Sequence, residues 1–374
     1  MEFEWLAIPG LIIWTGIILL PWRPWSVRES LDAGSGVATA DLAGVTVIIP
    51  ARNEQDVIGT TLSGLATQGT GLRIVLVDDQ STDATISTAL QSGLDNLRVI
   101  PGTALPTGWS GKLWALEQGR TGVTSEYILL LDADIELRPG TIAALLDKMN
   151  NHRLHFVSLM ACLRMESLWE KLLMPAFIFF FKLLYPFHLS NSASRLIAAA
   201  AGGCILIKTN TLNEIGGFSA IKDELIDDCA LARRVKDRGH RTWIGLTHSA
   251  ISQRRYDTLN TIWEMVTRTA FTQLKYSLLL LLLCTLLMAA AFIMPIAAFA
   301  TLLPTVMVMA ACSLTLMIIS YLPTLNYYGK SRLWALTLPV IGAIYLLMTW
   351  SSAVNHWIGT GAQWKQRAYK NRAG

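Results

Sequence analysis

The stretch YILLLDAD, residues 127–134, joins an apolar segment to a pair of carboxylates. Residues 127–131 have the continuous apolar character of a strand that is covered on both faces of a sheet. Asp132 and Asp134 follow, with only Ala133 between them. Carboxylates at the end of a buried strand must be exposed, neutralised or bound to a cation. The stretch therefore predicts a strand that delivers acidic side chains to one edge of a sheet.

Strand-like and helix-like segments alternate across residues 44–160. The predicted strands are 45–50, 73–79, 97–100 and 127–134. A helical pattern follows each of them, which predicts a parallel sheet covered by helices on both faces. Ligands of such sheets bind at the carboxyl ends of the strands. Three of the four strands end there in polar clusters: ARNE (51–54), DDQSTD (78–83) and DAD (132–134).

The acids at these strand ends suit a diphosphate only if a divalent cation lies between them, because like charges repel. The sequence contains neither a P-loop nor a glycine-rich dinucleotide motif. We expect Asp134 to hold Mg²⁺ or Mn²⁺ and Asp132 to contact ribose or a metal-bound water, because successive strand side chains point to opposite faces. Both carboxylates can bind the metal only if the backbone turns at this point. The alternative is that Asp134 only starts a turn.

Asp78, Asp79 and Lys112 are further candidates for a nucleotide site. The two acids end the second predicted strand and can accept hydrogen bonds from a nucleobase or from ribose. Lys112 lies in GWSGKLWAL (108–116), near a predicted helix start, where it can contact phosphate. A solvated surface lysine is the alternative interpretation.

Two later segments add candidates for catalysis and binding. Asp227 and Asp228 open a predicted helix, and Asp228 is either a helix cap or a base that accepts a proton from an attacking hydroxyl. The segment SQRRYD (252–257) offers an arginine fork for a diphosphate and the face of Tyr256 for a sugar or base. Its alternative role is a basic patch that contacts lipid headgroups.

The composition indicates membrane segments. Charged residues make up 16% of the chain and hydrophobic residues 52%, whereas soluble domains carry about a quarter charged residues. A net charge of +4 does not suggest nucleic acid as a partner but fits an anionic membrane surface. Residues 5–21 form an uncharged run, so 1–28 is predicted to be a retained membrane anchor. Arg23 and Arg28 after it place the following domain in the cytoplasm.

The carboxy-terminal part is predicted to form transmembrane helices over residues 276–352, followed by a basic tail over 353–374. Three crossings would leave the tail outside, yet its basic residues favour the cytoplasmic side, so the number of full crossings stays open. Those basic residues are Lys365, Arg367, Lys370 and Arg372. Residues 172–187 are apolar but short, and they carry Lys182 and two prolines. They are predicted to form an interfacial helix, with a buried core helix as the alternative.

Six motifs in this order resemble a membrane-bound family 2 glycosyltransferase with the GT-A fold. They are VIIPARNE, LVDDQSTD, GWSGKLWAL, LLLDADIELRPG, AAGGCILIKTNTLNEIGGF and IDDCALARRVKDRG. The resemblance covers about residues 45–274 and is greatest to the hopanoid (hopene)-associated subfamily. It implies an α/β fold, a Rossmann-like mixed sheet in a cytoplasmic domain over 40–275, with transmembrane helices on either side in the inner membrane.

The resemblance also implies a nucleotide-sugar donor, usually a UDP-sugar, a divalent metal and inversion at the anomeric carbon by direct displacement. The nucleotide-sugar residues that it implies, together with the acids noted above and the arginine fork, are Pro50, Arg52, Glu54, Asp78, Asp79, Lys112, Asp132 and Arg255. Asp134 would hold the metal with Asp132 beside it, while Gly202, Gly203 and Tyr256 would border the acceptor pocket. Asp228 would be the base, with Asp227 in place of the glutamate of the family.

One departure from the family bears on the acceptor. The Q-x-x-R-W motif is only partly kept, as Gln253, Arg255 and Tyr256, with shorter spacing and tyrosine for tryptophan. This difference and the few carboxy-terminal segments favour a single transfer to a lipid, such as a hopanoid, over polymer synthesis. Two other functions stay open: a metal-dependent nucleotidyltransferase, and a non-catalytic membrane protein that binds lipid or scaffolds partners.

Overall fold

The computed structural model describes residues 3–34 and 40–359, and the backbone of 363–364 and 367–368. Lys365, Lys370 and Arg372 of the predicted basic tail lie outside the described residues, and Arg367 is described only in its backbone.

Eight strands form one sheet, and two short strands form a separate pair. The strands are β1 (Val45–Ala51), β2 (Arg73–Asp78), β3 (Leu97–Pro101), β4 (Tyr127–Leu131), β5 (Ile135–Leu137), β6 (Phe156–Cys162), β7 (Cys204–Lys208), β8 (Thr242–Ser252), β9 (Gln363–Trp364) and β10 (Arg367–Ala368). The order across the large sheet is β3-β2-β1-β4-β7-β6-β8-β5. Strands β3, β2, β1 and β4 run parallel to one another, as β6 and β8 do. Strand β7 is antiparallel to β4 and β6, and β5 is antiparallel to β8.

Fifteen helices surround the sheet or form the carboxy-terminal part of the described residues. They are α1 (Ile8–Leu19), α2 (Ile58–Ala66), α3 (Thr85–Leu90), α4 (Gly111–Arg120), α5 (Thr141–Asn151), α6 (Leu168–Leu184), α7 (Phe187–Ser190), α8 (Thr209–Glu214), α9 (Asp227–Asp237), α10 (Leu259–Thr267), α11 (Ala270–Gln273), α12 (Leu278–Met288), α13 (Met294–Ala297), α14 (Pro304–Tyr327) and α15 (Leu338–Trp357). A π-helical turn, Ala289–Ile293, joins α12 to α13.

The four predicted strands form the parallel half of the sheet, and the implied mixed α/β fold is confirmed. Alternate residues of β4 belong to different cores, because strand side chains point to opposite faces. Leu129 packs with residues of α2 and α5, while Ile128 and Leu130 pack with residues of α4 and α9. The sheet is therefore covered on both faces, as the continuous apolar strands indicate.

The predicted strand 127–134 is too long. Strand β4 ends at Leu131, and a turn closed by a hydrogen bond from the Ile135 amide to the Asp132 carbonyl (3.1 Å) leads into β5. The Asp132 amide still donates to the Gly203 carbonyl at 3.0 Å, in register with the β4–β7 pairing. Because the backbone turns here, the strand alternation that separated Asp132 from Asp134 does not apply.

Three helical segments are long and apolar enough to cross a membrane by length and composition: Leu278–Thr301, Pro304–Tyr327 and Arg332–Trp357. The predicted amino-terminal anchor is shorter, because α1 has 12 residues and rises about 18 Å, against about 30 Å for a bilayer core. Helix α1 packs on this group, with the Trp14 indole donating to the Ala291 carbonyl at 2.9 Å. Gly10 allows the close approach, since a Cβ there would lie 2.7 Å from the Ala290 carbonyl oxygen.

The segment predicted as an interfacial helix forms α6, from Leu168 to Leu184. A capping box between Ser167 and Glu170 starts this helix. The Phe179 ring lies 5.2 Å from that of Tyr321 in α14, and the Tyr345 hydroxyl of α15 donates to the Leu173 carbonyl at 2.9 Å. Helix α6 thus links the sheet to the long apolar helices, and its location in the headgroup layer stays a prediction.

Gly119 sets how closely α4 can approach the sheet. A Cβ at this position would lie 2.5 Å from Ile48 Cγ2 and 3.0 Å from Val77 Cγ2. We therefore expect Gly119→Ala to lower the free energy of unfolding by about 1–3 kcal/mol, because the core must shift to admit a methyl group. Gly59→Ala in α2 is the matched control, since its Cβ would make an ordinary contact at 3.6 Å. Denaturant unfolding of the purified variants measures this difference. An equal change in the free energy of unfolding of both variants would contradict the packing argument.

Candidate functional site

The carboxyl ends of the central strands and the starts of two helices enclose one cavity. Its lining combines polar side chains with the apolar edge of the sheet core. The residues of interest in it are Pro50, Lys112, Asp132, Gly202, Asp227 and Asp228. The structure therefore brings together the predicted nucleotide, metal, acceptor and base positions.

Lys112 lines this cavity. Ser110 caps α4 by accepting a hydrogen bond from the Leu113 amide at 3.3 Å, which places Lys112 in the first turn. Its ammonium lies 2.7 Å from an oxygen of Asp132 and 3.8 Å from one of Asp227. Burial lowers the pKa of Lys112, but the two carboxylates outweigh burial and raise it above the ordinary value. The lysine therefore stays charged and is not a solvated surface residue.

Asp228 lies in the first turn of α9 rather than at its cap position, which Ile226 occupies. One carboxylate oxygen accepts from the Cys229 amide at 2.7 Å. Burial and the adjacent charge of Asp227 raise the pKa of Asp228 to about 7. A carboxylate with this pKa can accept a proton near neutral pH, which suits a general base. Because Asp228 also accepts from an amide of the first turn, the helix-cap interpretation stays open beside that of a base.

Gly202 and Gly203 hold different positions beside these acids. A Cβ on Gly202 would lie 3.2 Å from the Lys112 ammonium and 3.4 Å from an oxygen of Asp228. A Cβ on Gly203 would instead meet Ile135, at 3.2 Å. Gly202 therefore keeps open the space next to the acids, whereas Gly203 fits its strand against the core.

Arg254 balances the second acidic group. Its guanidinium donates to Asp134 at 3.0 Å and to Glu54 at 2.8 Å. The Ser252 hydroxyl also donates to Asp134, at 3.3 Å. Asp134 and Glu54 are nearly buried, with 8% and 9% of each residue exposed, so a cation beside them offsets the cost of burying their charges.

The structure places Arg254, rather than the expected Arg255, among the acids. The chain after β8 is extended, so alternate side chains point the same way: Ser252 and Arg254 reach Asp134, while Arg255 is exposed. Period-two alternation through SQRRYD is the sequence signal that could have distinguished the two arginines. Tyr256 is half-buried, and its amide donates to Glu170 at 2.9 Å.

The end of β2 forms the nucleotide side of the candidate site. Asp78 is 4% exposed; its Oδ2 accepts from the Ser81 amide at 3.2 Å, and its buried Oδ1 has no hydrogen-bond partner within residues 3–34 and 40–359. Burying a carboxylate oxygen without a hydrogen-bond partner destabilises the fold unless a ligand donates a hydrogen bond to it. Arg52 donates to the Asp79 carbonyl at 2.5 Å, so it also ties β1 to β2. Pro50 lies within β1 and lines the cavity.

Asp132 and Asp134 fit a metal that arrives with its substrate. Among the residues that the structure describes, no group of three or more His, Cys, Asp or Glu side chains could hold a metal ion. Magnesium sites at nucleotides need only one or two carboxylates, because phosphates and water supply the remaining ligands. Asp132 and Asp134, which pair with the basic side chains of Lys112 and Arg254, supply that number of carboxylates.

Comparison with known proteins identifies this segment. Residues 46–216 match the family model Glycosyl transferase family 2. The match spans less than half of the chain and includes β1 to β7, and the mixed sheet is of the GT-A type. The chain is 33% identical over 105 residues to a 4,4'-diaponeurosporenoate glycosyltransferase of Staphylococcus aureus strain USA300, a match that covers 28% of each protein. It is also 33% identical over 93 residues to the Staphylococcus haemolyticus protein of that name, 25% of this chain and 24% of that protein.

A solved structure shares the fold across almost the whole chain. The mannosyltransferase PcManGT from Pyrobaculum calidifontis, in complex with GDP-Man and Mn²⁺, superposes with a TM-score of 0.54 at 20% identity. The match covers 94% of this chain and 99% of that one. The similarity therefore extends beyond the sheet to the apolar helices.

The raised pKa of Asp228 predicts that its charge costs stability. The folded chain holds this proton up to a pH of about 7, whereas an unfolded chain loses it near a pH of about 4. Stability should therefore fall as pH rises through this window. We expect Asp228→Asn to raise the free energy of unfolding at pH 8 by about 1–4 kcal/mol, a gain that shrinks towards pH 5.

The matched control is Asp237→Asn on the same helix, because Asp237 is half-exposed and pairs with Arg233 at 3.3 Å. Unfolding of both variants at several pH values decides the matter. A pH-independent gain for Asp228→Asn, or an equal gain for Asp237→Asn, would contradict the burial argument.

Proposed function

We propose that this chain, which carries a glycosyl transferase family 2 domain, is an inverting glycosyltransferase that moves a sugar from a nucleotide-sugar to a membrane lipid. The observation that carries the proposal is the position of Lys112 between Asp132 and Asp227. It joins the strand-end acids, which suit a nucleotide donor, to the helix-start acids, which suit a base. A donor and an acceptor bound on either side of Lys112 would meet in one cavity.

The donor would bind along the ends of β1, β2 and β4. The unpartnered oxygen of Asp78 suits an N–H or O–H group of a nucleobase or ribose. Lys112 and Arg254 would exchange their carboxylate partners for the diphosphate. The resemblance to the family favours a UDP-sugar, whereas PcManGT was solved with GDP-Man. Both UDP-sugars and GDP-sugars are therefore candidate donors.

Asp134, with Asp132 beside it, would hold Mg²⁺ or Mn²⁺. When bound, the metal would neutralise charge on the leaving diphosphate. PcManGT was solved with Mn²⁺, which supports a divalent cation in this fold. Arg254 and Lys112 keep these two carboxylates paired without the ion, so each of the two has a cationic partner before the donor arrives.

Asp228 would act as the base in a direct displacement. An acceptor hydroxyl oxygen forms a bond to the anomeric carbon as the bond from that carbon to the diphosphate oxygen breaks. The electron pair leaves with the diphosphate, and the hydroxyl proton passes to Asp228. A single displacement inverts the anomeric centre, and the pKa of about 7 for Asp228 matches this proton transfer.

The acceptor would be a membrane lipid, such as a hopanoid or another polyisoprenoid-derived molecule. Three apolar segments could cross a bilayer, and α6 connects them to the sheet. The name of the Staphylococcus relatives, 4,4'-diaponeurosporenoate glycosyltransferase, supports an apolar acceptor. We also propose that the protein lies in the inner membrane as a multi-pass protein, with the sheet in the cytoplasm, because Arg23 and Arg28 follow the first apolar segment.

Product analysis of the purified full chain with a membrane lipid extract tests the function. We expect UDP or GDP release from labelled nucleotide-sugars, with label transferred to lipid. Asp228→Asn and Asp134→Asn should each reduce turnover at least about 100-fold, because one loses the base and the other the metal ligand. The wild-type rate should rise as pH passes through 7, where Asp228 loses its proton.

Three results would contradict the proposal. Pyrophosphate release would indicate nucleotidyl transfer. Full activity of both variants would refute the roles assigned to Asp228 and Asp134. Absence of metal-dependent UDP or GDP binding in calorimetry would favour a non-catalytic lipid-binding or scaffold protein.

Arg254 and Arg255 provide a second test, because the resemblance favours Arg255 and the structure favours Arg254. We expect Arg254→Met to weaken UDP or GDP binding in the presence of Mn²⁺ about tenfold or more, since a charge-assisted contact is lost. Arg255→Met should bind within about twofold of the wild type, because the Arg255 side chain is exposed. If calorimetry shows that Arg255→Met weakens nucleotide binding more than Arg254→Met does, the contact with the diphosphate belongs to Arg255.

A further inference from the structure

The side chains of Tyr185 and Gln273 meet where α6 ends and the first long apolar segment is about to begin. Tyr185 directly follows α6, and Gln273 ends α11, just before the first long apolar segment. The Tyr185 hydroxyl donates to the Gln273 side-chain oxygen at 2.5 Å. Tyr185 packs against the apolar cluster that contains Cys229, the residue after Asp228. Burial and the nearby Cys229 and Asp228 raise the pKa of Tyr185 above its ordinary value. A neutral polar pair therefore lies at the end of α6, with Tyr185 near Cys229, the residue that follows the proposed base.

Neighbouring elements hold this pair in place. The Tyr185 amide donates to the Phe181 carbonyl at 2.7 Å, and the two rings lie 5.1 Å apart. Beside Gln273, the Phe271 amide donates to the Ser352 hydroxyl of α15 at 3.0 Å. Tyr185 is thus positioned by α6 and Gln273 by α15, both of which belong to the membrane side of the molecule.

A continuous apolar cluster leads from this pair to the lipid-facing surface. Cys229, beside the acids, belongs to the same cluster as Phe292 and Tyr345 of the long apolar segments. The Phe180 ring lies 5.7 Å from that of Phe292 and 5.1 Å from that of Tyr345. Along α6, Phe180 is five residues from Tyr185, a rise of about 7.5 Å.

Phe292 also lines a cleft at the far end of this cluster. The cleft has a volume of about 310 Å³ and an entirely apolar lining, from the segments around α13 and α15. Its lining residues are Phe292, Ile293, Ile296, Ala297, Pro339, Val340 and Ala343. An apolar chain that ran from this cleft past Phe180 towards Tyr185 would pass residues of one apolar cluster.

The charges around Asp228 discriminate between acceptor chemistries. Asp227 and Asp132 add negative charge near Asp228, and Lys112 is already paired with both. A carboxylate acceptor would bring a further negative charge into this group, at a cost that grows with burial. A hydroxyl brings none, and tyrosine and glutamine can each donate to it or accept from it.

We propose that Tyr185 and Gln273 bind the acceptor hydroxyl, and that the acceptor is a long-chain apolar alcohol rather than a carboxylic acid. This inference rests on the proposed glycosyl transfer and adds the acceptor side to it. The alcohol oxygen would lie between the Tyr185–Gln273 pair and Asp228, which takes its proton as the oxygen bonds to the sugar. The hydrocarbon chain would extend along α6 towards the cleft.

Geranylgeraniol and geranylgeranoic acid are a matched pair of probes, because they share one chain and differ in the end group. With the full chain in detergent and a labelled nucleotide-sugar, we expect the alcohol to be glycosylated at least about tenfold faster than the acid. Tyr185→Phe and Gln273→Leu should each raise the KM for the alcohol about tenfold, the cost of one hydrogen bond of about 1.4 kcal/mol. Binding of UDP or GDP with Mn²⁺ should stay within about twofold of the wild type.

Tyr345→Phe is the control, because it also removes a buried tyrosine hydroxyl from the same cluster. Preference for the acid, use of neither lipid, or an unchanged KM in both variants would overturn the inference. A change of KM in Tyr345→Phe as large as that in Tyr185→Phe would assign the effect to packing, which also overturns it. Loss of nucleotide binding in the wild type would instead refute the proposed function itself.

Discussion

Carboxylates can be concentrated at one edge of a sheet only if cations stand among them. Two basic side chains meet this requirement here: Lys112 lies between Asp132 and Asp227, and Arg254 lies between Asp134 and Glu54. Each joins an acid of a strand end to an acid from another part of the chain, so the same contacts that neutralise the site also hold its parts together. A diphosphate would compete for both cations, and its binding would release the carboxylates that the metal requires.

Local patterns in the sequence predicted the elements around this edge well. Continuous apolar segments identified β1 to β4, and the polar residues after them fell at one end of the sheet because parallel strands share that end. The turn after Leu131 was not predictable in the same way. It leads into β5, whose partner strand β8 lies far away in sequence. The contact of Arg254, rather than Arg255, with Asp134 was equally hard to predict, because it depends on the extended path of the chain after β8.

Long-range packing explains the other differences from the sequence pattern. Lys182 suggested a helix at a polar surface, yet its side chain is 2% exposed, because α6 is covered by α14 and α15. Tyr185 carries no motif, and its relation to Asp228 arises only when the end of α6 meets the start of α9. The sequence around Tyr185, including the proline that follows it, contains no information about that contact.

The short α1 has a consequence for the surrounding lipid. A helix that rises about 18 Å leaves roughly 12 Å of a bilayer core of about 30 Å unmatched, while its neighbour α14 has 24 residues. In the proposed membrane location, lipids bordering α1 would have to thin or bend on that side of the protein, and those bordering α14 would not. The molecule would therefore sit in a bilayer of uneven thickness and favour regions where thinning costs least.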